Sequence, residues 1–351
     1  MNRRAAWRLI VAMGILGLVA FAGILLSQVR RESGPFAHDH DISITSWSIA
    51  PKVRFMPSGD SVLLDLAGYP TVYDIASGRE LRRFEQGNPL ALSPDGKLAA
   101  VEDTAHAPRG DGRVRVHILN FDSAENVRTL RGPGWSAGSC LAWSPDARWL
   151  ARGNYQNSID FWDLTQDVPV VNLRSDTNMD NAVEHLLFTS DGHFLISAES
   201  HGGVRVRTSG AWTLRTHFQF PKHDGHDQGV SSIALSPDGS LFAAGAGYSW
   251  SNSERTMRHG LIKIWRVTDW SEVSTFDLPS RPQAIAIDPD NSYLVYSIVK
   301  EVQVRNLRPG HIVQVVPWPR GVPPEVSFSA DGRWLALAGN QGLLAFWKRP
   351  P

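Results

Sequence analysis

Several short groupings in this sequence have the residue types of a reactive site. Gly134-Trp135-Ser136-Ala137-Gly138 has the G-x-S-x-G form of a hydrolase nucleophile elbow. That chemistry needs a strand before the serine and a helix after it, so that the hydroxyl sits on a strained turn. Here NVRTL precedes and SCLAWSPD follows, so both flanks read as strands and the pentapeptide as a loop. His38-Asp39-His40-Asp41 and His223-Asp224-Gly225-His226-Asp227 alternate metal-ligand types. On an extended chain, residues i and i+2 share a side and could hold a transition metal. Neither stretch fixes a third or fourth ligand. The first reads as a solvated linker and the second as a loop. Arg109-Gly110-Asp111 spells a short adhesion tripeptide in a loop and reads first as a turn. Cys140 has no His or Lys near it in sequence and reads as a small buried hydrophobe. No catalytic residue, cofactor site or metal site is expected from these groupings.

The elements that would have to position such groups are short strands in repeating order. The 351 residues include 35 Lys+Arg and 35 Asp+Glu, with 42% hydrophobics, 13 Trp and 14 Phe. Zero net charge argues against a nucleic-acid protein, which needs a basic surface to displace counterions from phosphates. The apolar content can fill a large core. One Cys excludes an intrachain disulfide and a cysteine zinc knuckle. Seven phrases share one shape, an apolar run, a Ser/Pro/Asp/Gly turn and a second apolar run. LALSPDGKLAAV at Leu90 and IALSPDGSLFAA at Ile233 are the clearest. Their turns end at Gly59, Gly96, Ala147, Gly192, Gly239, Asn291 and Gly332, spaced 37, 51, 45, 47, 52 and 41 residues apart. Each phrase predicts a hairpin in which Asp caps its own backbone and Gly or Asn takes positive φ. Ala147 departs from that pattern, which points to a different turn there. A third strand and, in most units, a fourth follow each hairpin, giving a four-stranded meander.

The unit length and strand endings resemble WD-repeat β-propellers. The matching residues are the SPDG hairpins, Trp162-Asp163, Trp265-Arg266 and Gly225-His226 ahead of the fifth unit. The resemblance covers residues 42–351 and implies an all-β, seven-bladed propeller. It also implies that His226 staples its blade. The family's His, Ser/Thr, Asp and Trp hydrogen-bonded set is complete in no unit, so apolar packing between blades must supply most cohesion. The last unit runs out after its third strand, and residues 42–49 alternate with period two ahead of the first. As in the family, that strand can complete the seventh blade and close the ring. The Trp residues at 143, 149, 162, 265, 334 and 347 recur at equivalent strand positions and read as inter-blade packing. The strands lining the axis read as apolar and hydroxylated, with Glu184, Glu325 and Asp288 their nearby carboxylates, which is no convergent catalytic set.

Ahead of the propeller, residues 9–27 carry no charge. A helix of that length spans about 28 Å, close to the hydrocarbon thickness of a bilayer. Arg3, Arg4 and Arg8 before it favour residues 1–8 in the cytoplasm, with a linker over 28–41 and the propeller on the outer, periplasmic side of the cell membrane. The alternative is a signal peptide cleaved after Ala20-Phe21-Ala22. Two units exceed 50 residues, through insertions at 102–112 and 247–260. Both join the second strand to the third and so fall on one face. Arg109, Asp111, Trp135, Trp250, Arg255, Arg258 and His259 are the candidate partner-binding residues, a mixed aromatic and charged set of the kind that anchors interfaces. The function expected is a non-enzymatic, membrane-anchored scaffold or complex subunit for a protein or peptide partner, without nucleic acid. The alternative is an extracytoplasmic propeller enzyme, lactonase- or quinoprotein-like, using the axial pocket.

Overall fold

The computed structural model describes residues 34–44, 52–65, 69–84, 90–103, 114–132, 138–166, 171–174, 181–251, 256–308, 310–318, 324–339 and 342–350. They form seven four-stranded antiparallel sheets and no helix. Blade one is β2 (Lys52–Phe55), β3 (Ser61–Asp65), β4 (Thr71–Asp74) and β5 (Glu80–Arg83). Blade two is β6 (Leu90–Leu92), β7 (Leu98–Glu102), β8 (Arg115–Asn120) and β9 (Asn126–Arg131). Blade three is β10 (Gly138–Trp143), β11 (Trp149–Asn154), β12 (Ser158–Asp163) and β13 (Val171–Arg174). Blade four is β14 (Val183–Phe188), β15 (Phe194–Glu199), β16 (Gly203–Thr208) and β17 (Leu214–Gln219). Blade five is β18 (Gly229–Leu235), β19 (Leu241–Ser251), β20 (Thr256–Arg266) and β21 (Glu272–Leu278). Blade six is β22 (Ala284–Ile287), β23 (Tyr293–Ile298), β24 (Glu301–Asn306) and β25 (Ile312–Pro317). Blade seven is β26 (Glu325–Phe328), β27 (Trp334–Gly339), β28 (Leu343–Lys348) and, as its outer strand, β1 (Ala37–Ser43).

The repeat fixes the turns on one face, the hairpin face. Ser93 Oγ donates to Asp95 Oδ1 at 2.6 Å and accepts the Leu98 N–H at 2.9 Å. Ser144, Thr189, Ser236 and Ser329 repeat both bonds in blades three, four, five and seven. Each serine or threonine thus satisfies a backbone donor that the tight turn would leave open. Ala147 does not form a different turn. Its φ is 57° and its N–H donates to the Ser144 carbonyl at 2.9 Å, as Gly96 does to Ser93. The cross-strand ladder on either side imposes the conformation, at about 1 kcal/mol of steric cost for a side chain. In blade six Asp288, and in blade one Met56, stand where the other five blades have Ser or Thr. Asp288 is buried and lies under its turn, not at the axial mouth. Burial and neighbouring Asp290 push its carboxyl up to about 6, and Arg349 clamps both acids at 2.6 and 2.9 Å.

The core is a ring of seven wedges. Each buried apolar cluster draws on two adjacent blades: Ile196 and Val204 of blade four meet Phe242 and Trp265 of blade five, and Leu150 and Trp162 of blade three meet Val116 and Ile118 of blade two. At ~1.5–3 kcal/mol for each large side chain buried, these wedges hold the blades together. Trp149, Trp162, Trp265 and Trp334 all pack in them, as their recurrence predicts. Two further indoles, Trp212 and Trp270, enter the wedges from third-to-fourth-strand turns at φ 56° and 60°. Gly78 and Gly310 take the equivalent places in blades one and six.

An N-terminal strand does close the ring, but it is displaced from the expected residues 42–49. β1 pairs antiparallel with β28 from Ala37↔Lys348 to Ser43↔Leu343. The strand is at an outer edge, so most of AHDHDIS stays exposed and apolar alternation does not mark it. His38-Asp39-His40-Asp41 is therefore part of this strand and not a solvated linker. His40 stacks on Phe346 with ring centres 5.0 Å apart and donates from Nε2 to the Ile75 carbonyl of blade one at 2.8 Å. Buried Gln314 of blade six donates to the Phe36 carbonyl at 2.7 Å. The clasp is thus tied to the blades on both sides of the seam. Residues 1–33, which include the apolar segment 9–27, lie outside the described residues. Among the described residues no helix is long and apolar enough to cross a membrane.

Candidate binding face

In an antiparallel meander the connections between strands two and three share a face with the starts of the inner strands. On this loop face the insertion at 247–260 is a hairpin, not the loop expected. β19 and β20 run on for 11 residues each, pairing Gly247↔Gly260, Tyr248↔His259, Ser249↔Arg258, Trp250↔Met257 and Ser251↔Thr256. Continued strand pairing, which satisfies the backbone polar groups of an otherwise open loop, explains the difference. The equivalent strands of the other blades have four to six residues, so this hairpin overshoots them.

A cluster of rings holds its base. The His223 and His259 rings stack at 3.8 Å and 11°, with Tyr248 5.9 Å from His223 and 5.3 Å from His226. His259 Nδ1 is 2.9 Å from Gln228 Oε1, and buried Gln228 donates to the Pro221 carbonyl at 2.6 Å. Burial and His223 pull the His259 imidazole below its usual range, against Asp277 at 3.4 Å. His226 itself is exposed beside Tyr248 and does not staple the blade. The fastening runs through His259 and Gln228 instead.

Between blades two and three, the same face covers a buried charge triad. Arg152 donates from Nε to Glu102 Oε2 at 2.7 Å and from Nη1 to Asp160 Oδ2 at 2.9 Å. Glu102 Oε1 also accepts the Gly138 N–H at 2.9 Å, and Asn172 donates to Asp160 at 2.6 Å. Burial pulls the guanidinium down, but Glu102 and Asp160 outweigh it and hold it above its usual value. Glu102 thus fixes the start of the stretch that carries Arg109 and Asp111, and its bond from Gly138 fixes the end of the stretch that carries Trp135.

At the axis lies a cavity of about 390 Å³. Its mouth carries Lys52, Arg54, His185, Ser231, Gln283 and Glu325, and its deeper wall Leu92, Trp143, Phe188 and Ile233. The wall is apolar and hydroxylated as the inner strands predict, but the mouth is more charged than expected. Burial pushes the Glu325 carboxyl up to about 7, with Lys52 and Arg54 opposing. Burial, then Lys52, pushes His185 down to about 3, so its imidazole is neutral. Cys140 also lines the cavity, and burial raises its thiol to about 11, which makes it an unreactive wall residue. Lys52, Arg54, His185 and Gln283 escaped sequence reasoning because they lie in different units. The available signal was a charge at the start of an inner strand where other units carry apolar or hydroxyl residues.

Of the candidate partner-binding residues, Arg258 and His259 lie on β20. Arg258 is exposed, while His259 is half-buried and turned into the hairpin base. Trp250 lies on β19 opposite Met257. Arg109, Asp111, Trp135 and Arg255, and Ser136 of the G-x-S-x-G stretch, lie outside the described residues. Among the described residues no group of three or more His, Cys, Asp or Glu is arranged to hold a metal ion.

Comparison with known proteins agrees with this geometry. The family model for the WD domain, G-beta repeat matches residues 124–163 and 218–266, which include the third strands ending at Trp162 and Trp265. These two stretches of the chain are WD repeats. Similar proteins include Protein groucho of Drosophila melanogaster, 24% identical over 59% of this chain and 26% of its own length. Periodic tryptophan protein 2 of Arabidopsis thaliana is 25% identical over 60% of this chain and 22% of its own. Pre-rRNA-processing protein crb3/ipi3 of Schizosaccharomyces pombe is 24% identical over 62% of this chain and 47% of its own. The chain thus spans about a quarter to a half of the relatives it matches.

Proposed function

We propose that this propeller is a membrane-anchored, non-enzymatic scaffold that captures a protein or peptide partner on its loop face. The observation that carries the reading is the blade-five hairpin. It extends past its neighbours, is fastened at its base by the His223–His259 stack, and presents Arg258 to solvent. A rigid projecting element loses little entropy on binding, which favours its use as a docking feature. WD-repeat relatives support a protein partner in preference to a small substrate, and zero net charge disfavours nucleic acid. In this reading residues 9–27 hold the chain in the membrane, with the propeller outside the cytoplasm. Arg109, Asp111, Trp135, Trp250, Arg255, Arg258 and His259 surround the partner.

The test is to replace residues 248–259 with a two-residue turn and crosslink the full chain in its own membrane. The expected result is loss of the crosslinked partner from a protein that still unfolds cooperatively. Undiminished co-purification from the shortened protein contradicts the reading.

A further inference from the structure

The axial mouth holds cations that the protein itself leaves without counter-ions. No ion pair within 4.0 Å joins Lys52 or Arg54 to any described residue. Lys52 nevertheless acts electrostatically on Cys140 of blade three, His185 of blade four and Glu325 of blade seven. A single ammonium felt by three blades sits close to the axis. Arg54 is attracted by Asp65 of its own blade and by Glu325, and the surrounding protein still pulls its guanidinium below its usual value. Arg281, on the connection into blade six, has a buried Nε without a hydrogen-bond partner. Glu184 acts on Arg281, Tyr155 and Cys140. The acids facing Lys52 and Arg54 are Asp65 and Glu325. Cations that line a cavity without an ion-pair partner offer charge that an entering anion can neutralise.

Below these charges the wall turns apolar at Leu92, Trp143, Phe188 and Ile233. A cavity of about 390 Å³ is of the size that encloses a small organic ligand. We infer that the axial cavity binds a carboxylate carried on an apolar stem, its head on Lys52 and Arg54 and its stem against Trp143 and Phe188. Gln283 at the mouth can donate to the same head. The stem selects against small inorganic anions, which leave the apolar wall wet. Two sources share this chemistry, a free medium-chain acid and the last residue of a chain ending in an apolar side chain. The inference is independent of the hairpin reading, because none of these residues belongs to residues 247–260.

Glu325 adds a pH signature. As its carboxyl ionises around pH 7 it competes with the bound carboxylate for the same cations. His185 stays neutral throughout this range and Cys140 stays protonated, and a guanidinium such as that of Arg54 or Arg281 keeps its charge. Asp65 and Glu184 are the other carboxylates that act on these groups.

The experiment is calorimetric titration of the full chain with octanoate, octanol, N-acetyl-Leu-Leu and its amide. The proteins are wild type, Lys52→Met/Arg54→Met and Glu325→Gln. At least one free carboxylate is expected to bind, more than tenfold tighter than its uncharged analogue. The double variant is expected to lose that preference while keeping the wild-type circular dichroism spectrum. Affinity in wild type should fall roughly fivefold from pH 6 to pH 8, from one added like charge, and stay flat in Glu325→Gln. Octanoate alone binding identifies a free acid, and the dipeptide alone a chain terminus; either supports the site. Binding by neither carboxylate, equal binding of the uncharged analogues, or full binding by the double variant overturns it. Should Lys52→Met/Arg54→Met fail to fold, the pH response of wild type against Glu325→Gln decides alone.

Discussion

On the hairpin face, five of the seven turns between the first and second strands repeat one pair of hydrogen bonds, from a Ser or Thr hydroxyl to Asp and from the backbone to that hydroxyl. On the loop face the connections from second to third strand vary from two residues in blade six to twelve in blade two. The regular face satisfies the backbone of these turns one by one. The irregular face carries the projecting hairpin, the cationic mouth and a buried triad. In a repeat protein, departures from the repeat are where stability is not the governing constraint.

The sharpest way to break this contrast is inside the triad, where the irregular face does depend on its own polar groups. Arg152→Met strands Glu102 and Asp160 in the wedge between blades two and three. It should cost about 3–5 kcal/mol in urea unfolding, the usual penalty for removing one member of a buried ionic set. A loss under 1 kcal/mol would mean that water reaches those carboxylates.

The mouth gives a smaller effect that depends on pH. Glu325 has a folded pKa of about 7 against 4.5 in the unfolded chain. The folded state therefore binds more protons between those values, and its stability falls as pH rises from 4.5 to 7. At 1.36 kcal/mol per pK unit the full effect is at most about 3 kcal/mol, reduced by water in the cavity. His185 works the opposite way, adding stability as pH rises from 3 to 6.5. Subtracting the stability curve of Glu325→Gln from that of wild type isolates the first effect. The difference should decline between pH 4.5 and 7, and a level difference would place Glu325 in open water.

On the regular face the expected effect is smallest and of opposite sign. Ala147→Gly relieves a side chain at φ 57° and should stabilise by about 0.5–1 kcal/mol, with partner capture unchanged. Destabilisation would show that the methyl group contributes packing that outweighs its strain.

The same contrast governs what the sequence makes legible. Seven turns at regular spacing carry local signals, so blade number, strand order and the need for a closing strand can all be read. The register of that strand cannot, because an edge strand with most of AHDHDIS in solvent lacks alternation, and beside Ile42 its inward residue is His40 rather than a second aliphatic. Ala147 misleads because the ladder, not the residue, sets its φ. Trp212 and Trp270 are indistinguishable in sequence from loop aromatics, yet the ring returns them to the wedges. The cationic mouth is the least visible. Lys52, His185, Gln283 and Glu325 are spread over more than 270 residues and meet only because the ring closes.

The most direct measurement places a photoreactive side chain at Arg258 on the loop face and, separately, at Lys97 on the hairpin face, in the intact chain in its native cells. Both positions are exposed. A protein adduct at position 258 with none at 97 is the predicted result. An adduct at 97 alone, or equal adducts at both, would contradict the assignment of recognition to the irregular face.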